Sequence, residues 1–77
     1  MRPEPQLPIT DASRRRVTRW LVGFPIRDIE RDLVIETLAS TRGNRTASAR
    51  VLGMSVRTLR NKIAEYSAHG IDVPRPQ

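Results

Sequence analysis

The chain has no cysteine, one histidine, and a single tryptophan, tyrosine and phenylalanine each. Without cysteine neither a disulfide framework nor a thiolate-ligated zinc can brace the fold, and the redox compartment cannot be read from this feature. His69 sits near the end of a helical pattern with no nucleophile at helical spacing before it, so no catalytic set can be assembled and no enzyme is expected. Potential metal ligands are too few for a metal site, and no cofactor is expected. No apolar run approaches the ~20 residues that span a bilayer, and Met1-Arg2-Pro3-Glu4-Pro5 lacks the apolar stretch of a signal peptide, so a cytoplasmic protein is expected. The scarcity of aromatics also argues against a base-stacking platform for RNA.

Acidic residues are missing from one long stretch. None lies between Glu36 and Glu65, whereas Arg42, Arg45, Arg50, Arg57, Arg60 and Lys62 all do. The formal charge is +6, from 14 basic and 8 acidic residues, and this stretch carries most of the excess. The preceding segment, Ile26 to Thr41, sets Arg27 and Arg31 against Asp28, Glu30, Asp32 and Glu36, so ordinary surface pairing is expected there. A purely basic segment beside a mixed one points to a polyanion. The leucine-rich and aromatic face of an interfacial helix is missing from Asn44 to Lys62, so nucleic acid is favoured over a membrane surface.

At 77 residues the chain holds one small domain, marginal when alone, which self-association would relieve. Residues 1–12 read as a proline-bearing flexible arm, residues 13–70 as the domain and residues 71–77 as a tail. Asp11 or Ser13 can cap a short helix through Val17, Trp20 and Leu21, but the β-branched Val17, Thr18 and Val22 also suit a strand. Arg14, Arg15, Arg16 and Arg19 fit either an arm for the DNA minor groove or plain solubilising charge. Trp20 and Tyr66 are expected in the core. A helix follows Pro25 from about Ile26 to Thr41 and stops at Gly43. Its apolar residues Ile26, Ile29, Leu33, Val34 and Leu38 fill an arc of about 180°, wider than one packing surface needs. The surplus is assigned to the same helix of a second chain, with cover by the Val17 to Phe24 segment as the alternative.

Asn44 is the natural cap of a short helix to Leu52, Gly53 permits a turn plugged by Met54, and Ser55 caps a second helix through Val56, Leu59, Ile63 and Tyr66. Its apolar stripe is narrow. The opposite face is assigned Arg57, Thr58, Arg60, Asn61 and Lys62, which suits a helix lying in a groove. Two short helices joined by a tight glycine turn, the second basic and thinly apolar, describe a helix-turn-helix over residues 44–67 of an all-α domain.

The strings Gly43-Asn44-Arg45-Thr46, Val51-Leu52-Gly53-Met54-Ser55 and Arg57-Thr58-Leu59-Arg60-Asn61-Lys62-Ile63 resemble the Fis-type helix-turn-helix. Domains of this type end the NtrC class of sigma-54-dependent regulators and form most of the small nucleoid protein Fis. Leu21-Val22-Gly23 and Ile29-Glu30-Arg31-Asp32-Leu33 further resemble FlbD-type flagellar regulators. The resemblance covers roughly Leu21 to Tyr66. It implies a bacterial transcription regulator or nucleoid-associated factor, a homodimer held by the first long helix and its neighbour, with recognition helices in successive major grooves of double-stranded DNA. Phe24, Pro25 and Ser48 depart from the family pattern. No receiver or ATPase domain precedes the motif, so either a stand-alone Fis-like protein or an excised domain is expected.

In the docked geometry Ser55, Val56, Arg57 and Thr58 lie at the reading end of the helix. Arg57 and Asn61 can pair bidentately with guanine and adenine, while Arg60 and Lys62 suit phosphate. By resemblance Asn44 and Thr46 touch the DNA backbone, with Arg45 adding charge; for Asn44 a purely capping role stands equally open. A second functional reading is an interaction module that pairs with a larger sigma-54-dependent regulator through the long helix and modulates it.

Overall fold

The computed structural model describes residues 10–77, so the expected arm lies outside the described residues as far as Ile9. The rest of it is structured. Thr10, rather than Asp11 or Ser13, caps the first helix, its Oγ1 accepting the Ser13 N–H at 3.0 Å. The helix α1 therefore begins early and spans Asp11–Arg19. Asp11 in its first turn and Arg16 and Arg19 in its last both complement the helix dipole, which the strand alternative could not have used.

Pro25 caps the second helix, α2, Ile26–Ser40, with an extended backbone and no side-chain bond. The third, α3, Arg45–Leu52, starts at Asn44, whose Oδ1 accepts the Ala47 N–H at 2.9 Å. Ser55 caps α4, Val56–Ala68, by accepting the Thr58 N–H at 3.0 Å. Beyond α4 the Gly70 N–H donates to the Ser67 carbonyl and the Ile71 N–H to that of Tyr66, both at 3.0 Å. This is the Schellman pairing, and Gly70 takes the left-handed φ of +81° that it needs. The fold is all-α among the described residues, and none of its helices is long and apolar enough to cross a membrane.

α2 packs on α3 and α3 on α4 around Val34, Leu38, Ala49, Leu59 and Val73, with Leu52, Met54, Val56, Ile63 and Tyr66 closing the sides. Burial of a side chain such as Leu38 or Leu59 contributes about 1.5–3 kcal/mol, so these few residues carry most of the hydrophobic stabilisation. Ser48 is fully buried among them. Its hydroxyl lies 2.7 Å from that of Thr41, which explains how a polar group stands at this departure from the family pattern.

Three expectations change. Val34 and Leu38, assigned to a dimer contact, are 1% and 0% exposed within this chain's own core. The wide arc of α2 is divided: Val34 and Leu38 turn towards α3 and α4, Ile29 is half-buried, and Ile26 and Leu33 remain exposed. Trp20, expected in the core, is 81% exposed, because the α1 it ends buries none of its residues and no other described element packs over them. Tyr66 is half-buried against the core, as expected. Residues 71–77 do not leave the domain as a tail, because Val73 fills the space between α2 and the thin apolar stripe of α4.

Candidate nucleic-acid interface

The corner between α3 and α4 depends on Gly53. It takes φ +73°, a left-handed conformation that L side chains resist, and the Met54 N–H then donates back to the Ala49 carbonyl at 3.0 Å. Met54 folds against the core and Ser55 starts α4 immediately. The helix-turn-helix is thus set by two local devices, a left-handed glycine and a hydroxyl cap.

Leu59 anchors α4. At ~100° per residue Arg57 and Asn61 stand about 160° away from it, Thr58 and Arg60 about 100° away on opposite flanks, and Lys62 only about 60° away. Exposure follows that order: Arg57, Thr58, Arg60 and Asn61 are exposed, Val56 and Lys62 half-buried. The Ser55 and Thr58 hydroxyls lie 2.9 Å apart, so they bond to each other at the start of the exposed crest.

Lys62 departs from the expected cationic face. Its Nζ donates to Glu30 Oε2 of α2 at 2.5 Å, so the basic stretch is not without acidic company. Glu30 lies outside the stretch in sequence and was expected to pair with Arg27 or Arg31; Arg31 instead reaches Asp28 and Asp32. The hydrogen bond to Glu30 holds the Lys62 ammonium above its ordinary value of 10.5. The stability that Lys62 draws from the pair is therefore intact at neutral pH and is lost in alkali, as pH rises through that raised value. Burial, and then the Glu30 charge, push the neighbouring Tyr66 hydroxyl up as well. The sequence held a signal for this, since Lys62 follows Leu59 by three residues and precedes Tyr66 by four, which places it on their side of the helix.

A second group forms at the start of α3. Arg42, Asn44, Arg45, Thr46 and Arg60 line an open groove of about 550 Å³, walled on one side by Pro76 and Gln77. Asn44 and Thr46 are exposed, and Asn44 uses its Oδ1 as the cap. Arg45 is half-buried rather than free, its Nη1 donating to the carbonyls of Gly43 and Pro74, both at 2.8 Å. Sequence reasoning passed over Arg42 and the 71–77 segment here. The approach is tertiary and left no local signal apart from the glycine beside Arg42. The structure therefore gathers Arg57, Thr58, Arg60 and Asn61 on one exposed surface, joins Asn44, Arg45 and Thr46 to it through Arg60, and turns Lys62 to its edge.

Large apolar side chains are exposed elsewhere, Val51 of α3 at 69% and six that precede α3. Val17, Trp20, Val22, Phe24, Ile26 and Leu33 are all large and exposed, from 56% for Leu33 to 81% for Trp20 and Val22. Four of these, on α1 and its turn, were not among the residues expected at a contact between chains.

Residues 25–66 match the family of bacterial regulatory proteins described as the Fis family. Over 60 residues, 78% of this chain, the sequence is 50% identical to the transcriptional regulatory protein FlbD of Caulobacter vibrioides. Over 52 residues, 68% of the chain, it is 42% identical to the response regulator protein FleR of Pseudomonas aeruginosa, and over 47 residues, 61%, it is 43% identical to PilR of that organism. The matches span 13%, 11% and 10% of those longer proteins. No solved structure is significantly similar to the chain.

Proposed function

The chain belongs to the Fis family of bacterial regulatory proteins, and from that premise we propose that it binds double-stranded DNA sequence-specifically as a homodimer, regulating transcription in the bacterial cytoplasm or nucleoid. The observation that carries this reading is the crest of α4, where Arg57 and Asn61 stand exposed opposite the buried Leu59. Arginine and asparagine are the side chains that pair bidentately with guanine and adenine, and the first half of the second helix is where such a motif meets base edges. Arg60, Arg42 and the start of α3 supply backbone contacts, which position the protein without reading sequence. The role is one of binding, with no catalytic step and no cofactor.

The dimer rests on the exposed apolar residues of α1, its turn and α2. A small domain that leaves six large apolar side chains, Val17, Trp20, Val22, Phe24, Ile26 and Leu33, in water gains by covering them, and α1 with α2 of a second copy is the cover we propose. Two-fold pairing would present two copies of α4 to one face of the duplex.

Genome-wide DNA pull-down with the purified chain, combined with its mass in solution, tests the whole reading. The expected result is a set of two-fold symmetric sites, each binding two chains. A chain that binds no duplex at low salt, yet co-purifies with a larger regulator, would establish the interaction module in its place.

The Lys62 to Glu30 pair adds a narrower expectation. Glu30→Gln releases Lys62 and removes a negative charge, so affinity for random duplex should rise. The slope of log affinity against log salt should steepen by up to about one unit. Fluorescence anisotropy across a salt series reads both quantities, and an unchanged slope would place Lys62 outside the DNA-facing surface.

A further inference from the structure

Residues 71–77 lie beyond the part of the chain that matches the family, yet they pack onto the helix-turn-helix. Val73 is 8% exposed among Val34, Leu38, Ala49 and Leu59. From that anchor the segment runs across the corner between α2 and α3. The Pro74 carbonyl accepts from Arg45 at 2.8 Å, and the Gln77 N–H donates to the Arg42 carbonyl at 3.1 Å. The approach is close enough that a Cβ on Gly43 would lie 2.2 Å from the Arg75 carbonyl oxygen. The corner is bent to admit it: Arg42 at φ +56° and Gly43 at φ +81° are both left-handed, and the first is unusual for a residue with a side chain.

We infer that the 71–77 segment is a strap that orients Arg45 for binding a phosphate of the duplex backbone, extending the DNA-binding surface beyond its two helices. The inference rests on the DNA-binding reading above. Arg45 sits between two carbonyls, Gly43 on its own corner and Pro74 on the strap, both contacting Nη1. A guanidinium is planar and carries five N–H donors, so fixing Nη1 fixes the plane of the whole group. Nη2 and Nε make no hydrogen bond with another described residue. Arg45 lines the groove with Arg42 and Arg60, so the remaining donors belong to a cationic recess that a tetrahedral anion can enter. Without the strap Arg45 keeps its charge but loses one of its two carbonyl partners, and a long side chain then gives up rotamer freedom on binding.

The test is a two-by-two comparison in which every chain ends in an amide and the full-length forms carry Arg75→Gln, so that removing the strap changes no charge: the full-length chain, Arg45→Gln, a chain ending at Val73, and the two changes together. Retaining Val73 keeps the core filled, and the amide avoids placing a carboxylate beside the arginines. Affinity for cognate and random duplexes is measured over salt concentrations from about 50 to about 200 mM, below the melting temperature of every variant. Arg45→Gln should weaken both duplexes alike and flatten the salt slope by about one unit, which makes the fall in affinity across that range about fourfold smaller. The shortened chain should weaken both duplexes too, and the double variant should be no weaker than Arg45→Gln alone. Losses that add independently, or a shortened chain that melts earlier but binds as the full chain does, overturn the strap's role while leaving DNA binding standing. Failure of the full chain itself to bind any duplex at low salt removes both.

Discussion

Leu38→Ala should destabilise the domain by about 2–5 kcal/mol, the usual cost of emptying a filled leucine site in a core that relaxes only partly. In a domain this small each kcal/mol moves the melting temperature by roughly 4–8 °C, so Tm should fall by about 10 °C or more. Leu38 is 0% exposed and belongs to the cluster shared by α2, α3 and the residue anchoring the strap, so the loss is internal to one chain. Ile26, on the same helix but 80% exposed, makes the contrast. Ile26→Ser should leave that cluster filled and weaken self-association, seen as a lower mass in dilute solution. Thermal melts and solution mass, each followed over protein concentration, separate the two. A Leu38→Ala chain that melts like the parent, or changes only its oligomeric mass, would return Leu38 to the contact between chains and undo the division of α2.

Arg57→Ala should weaken binding to a cognate site by about 1–3 kcal/mol and relax discrimination at one base pair, because a bidentate pair with guanine is lost. The site for this prediction is the best defined on the surface: Arg57 is exposed, one residue after the start of α4, and forms no ion pair among the described residues. Binding to cognate, singly substituted and random duplexes at one salt concentration measures it. Equal loss on all of them would make Arg57 a phosphate contact, and the reading of sequence would pass to Asn61, which faces the same way around the helix.

The contrast between Arg57 and Lys62 shows how far sequence reasoning reaches on this surface. Both belong to one basic run, and charge alone grouped them. Helical spacing separates them, since one stands opposite Leu59 and the other beside it, and that much was legible before any fold was known. The partner of Lys62 was not, because Glu30 is distant in sequence and comes near only when α2 packs across the motif. Arg45 repeats the pattern. Its place beside the Asn44 cap follows from local sequence, whereas its bond to Pro74 requires the chain to double back.

The presence of α2, α3 and α4, the Gly53 turn, the Asn44 and Ser55 caps and the exposed crest of α4 were determined by the sequence itself, since each depends on residues within a turn or two of one another, whereas α1 and its Thr10 cap were not. Only the tertiary structure decided which apolar residues of α2 serve the core, why Trp20 and its neighbours face water, and that residues 71–77 belong to the domain. Periodicity marks a helix face as apolar without naming what covers it. That choice depends on which distant segment fills the volume, and here Val73 occupied a place that the spacing of the helices could not assign.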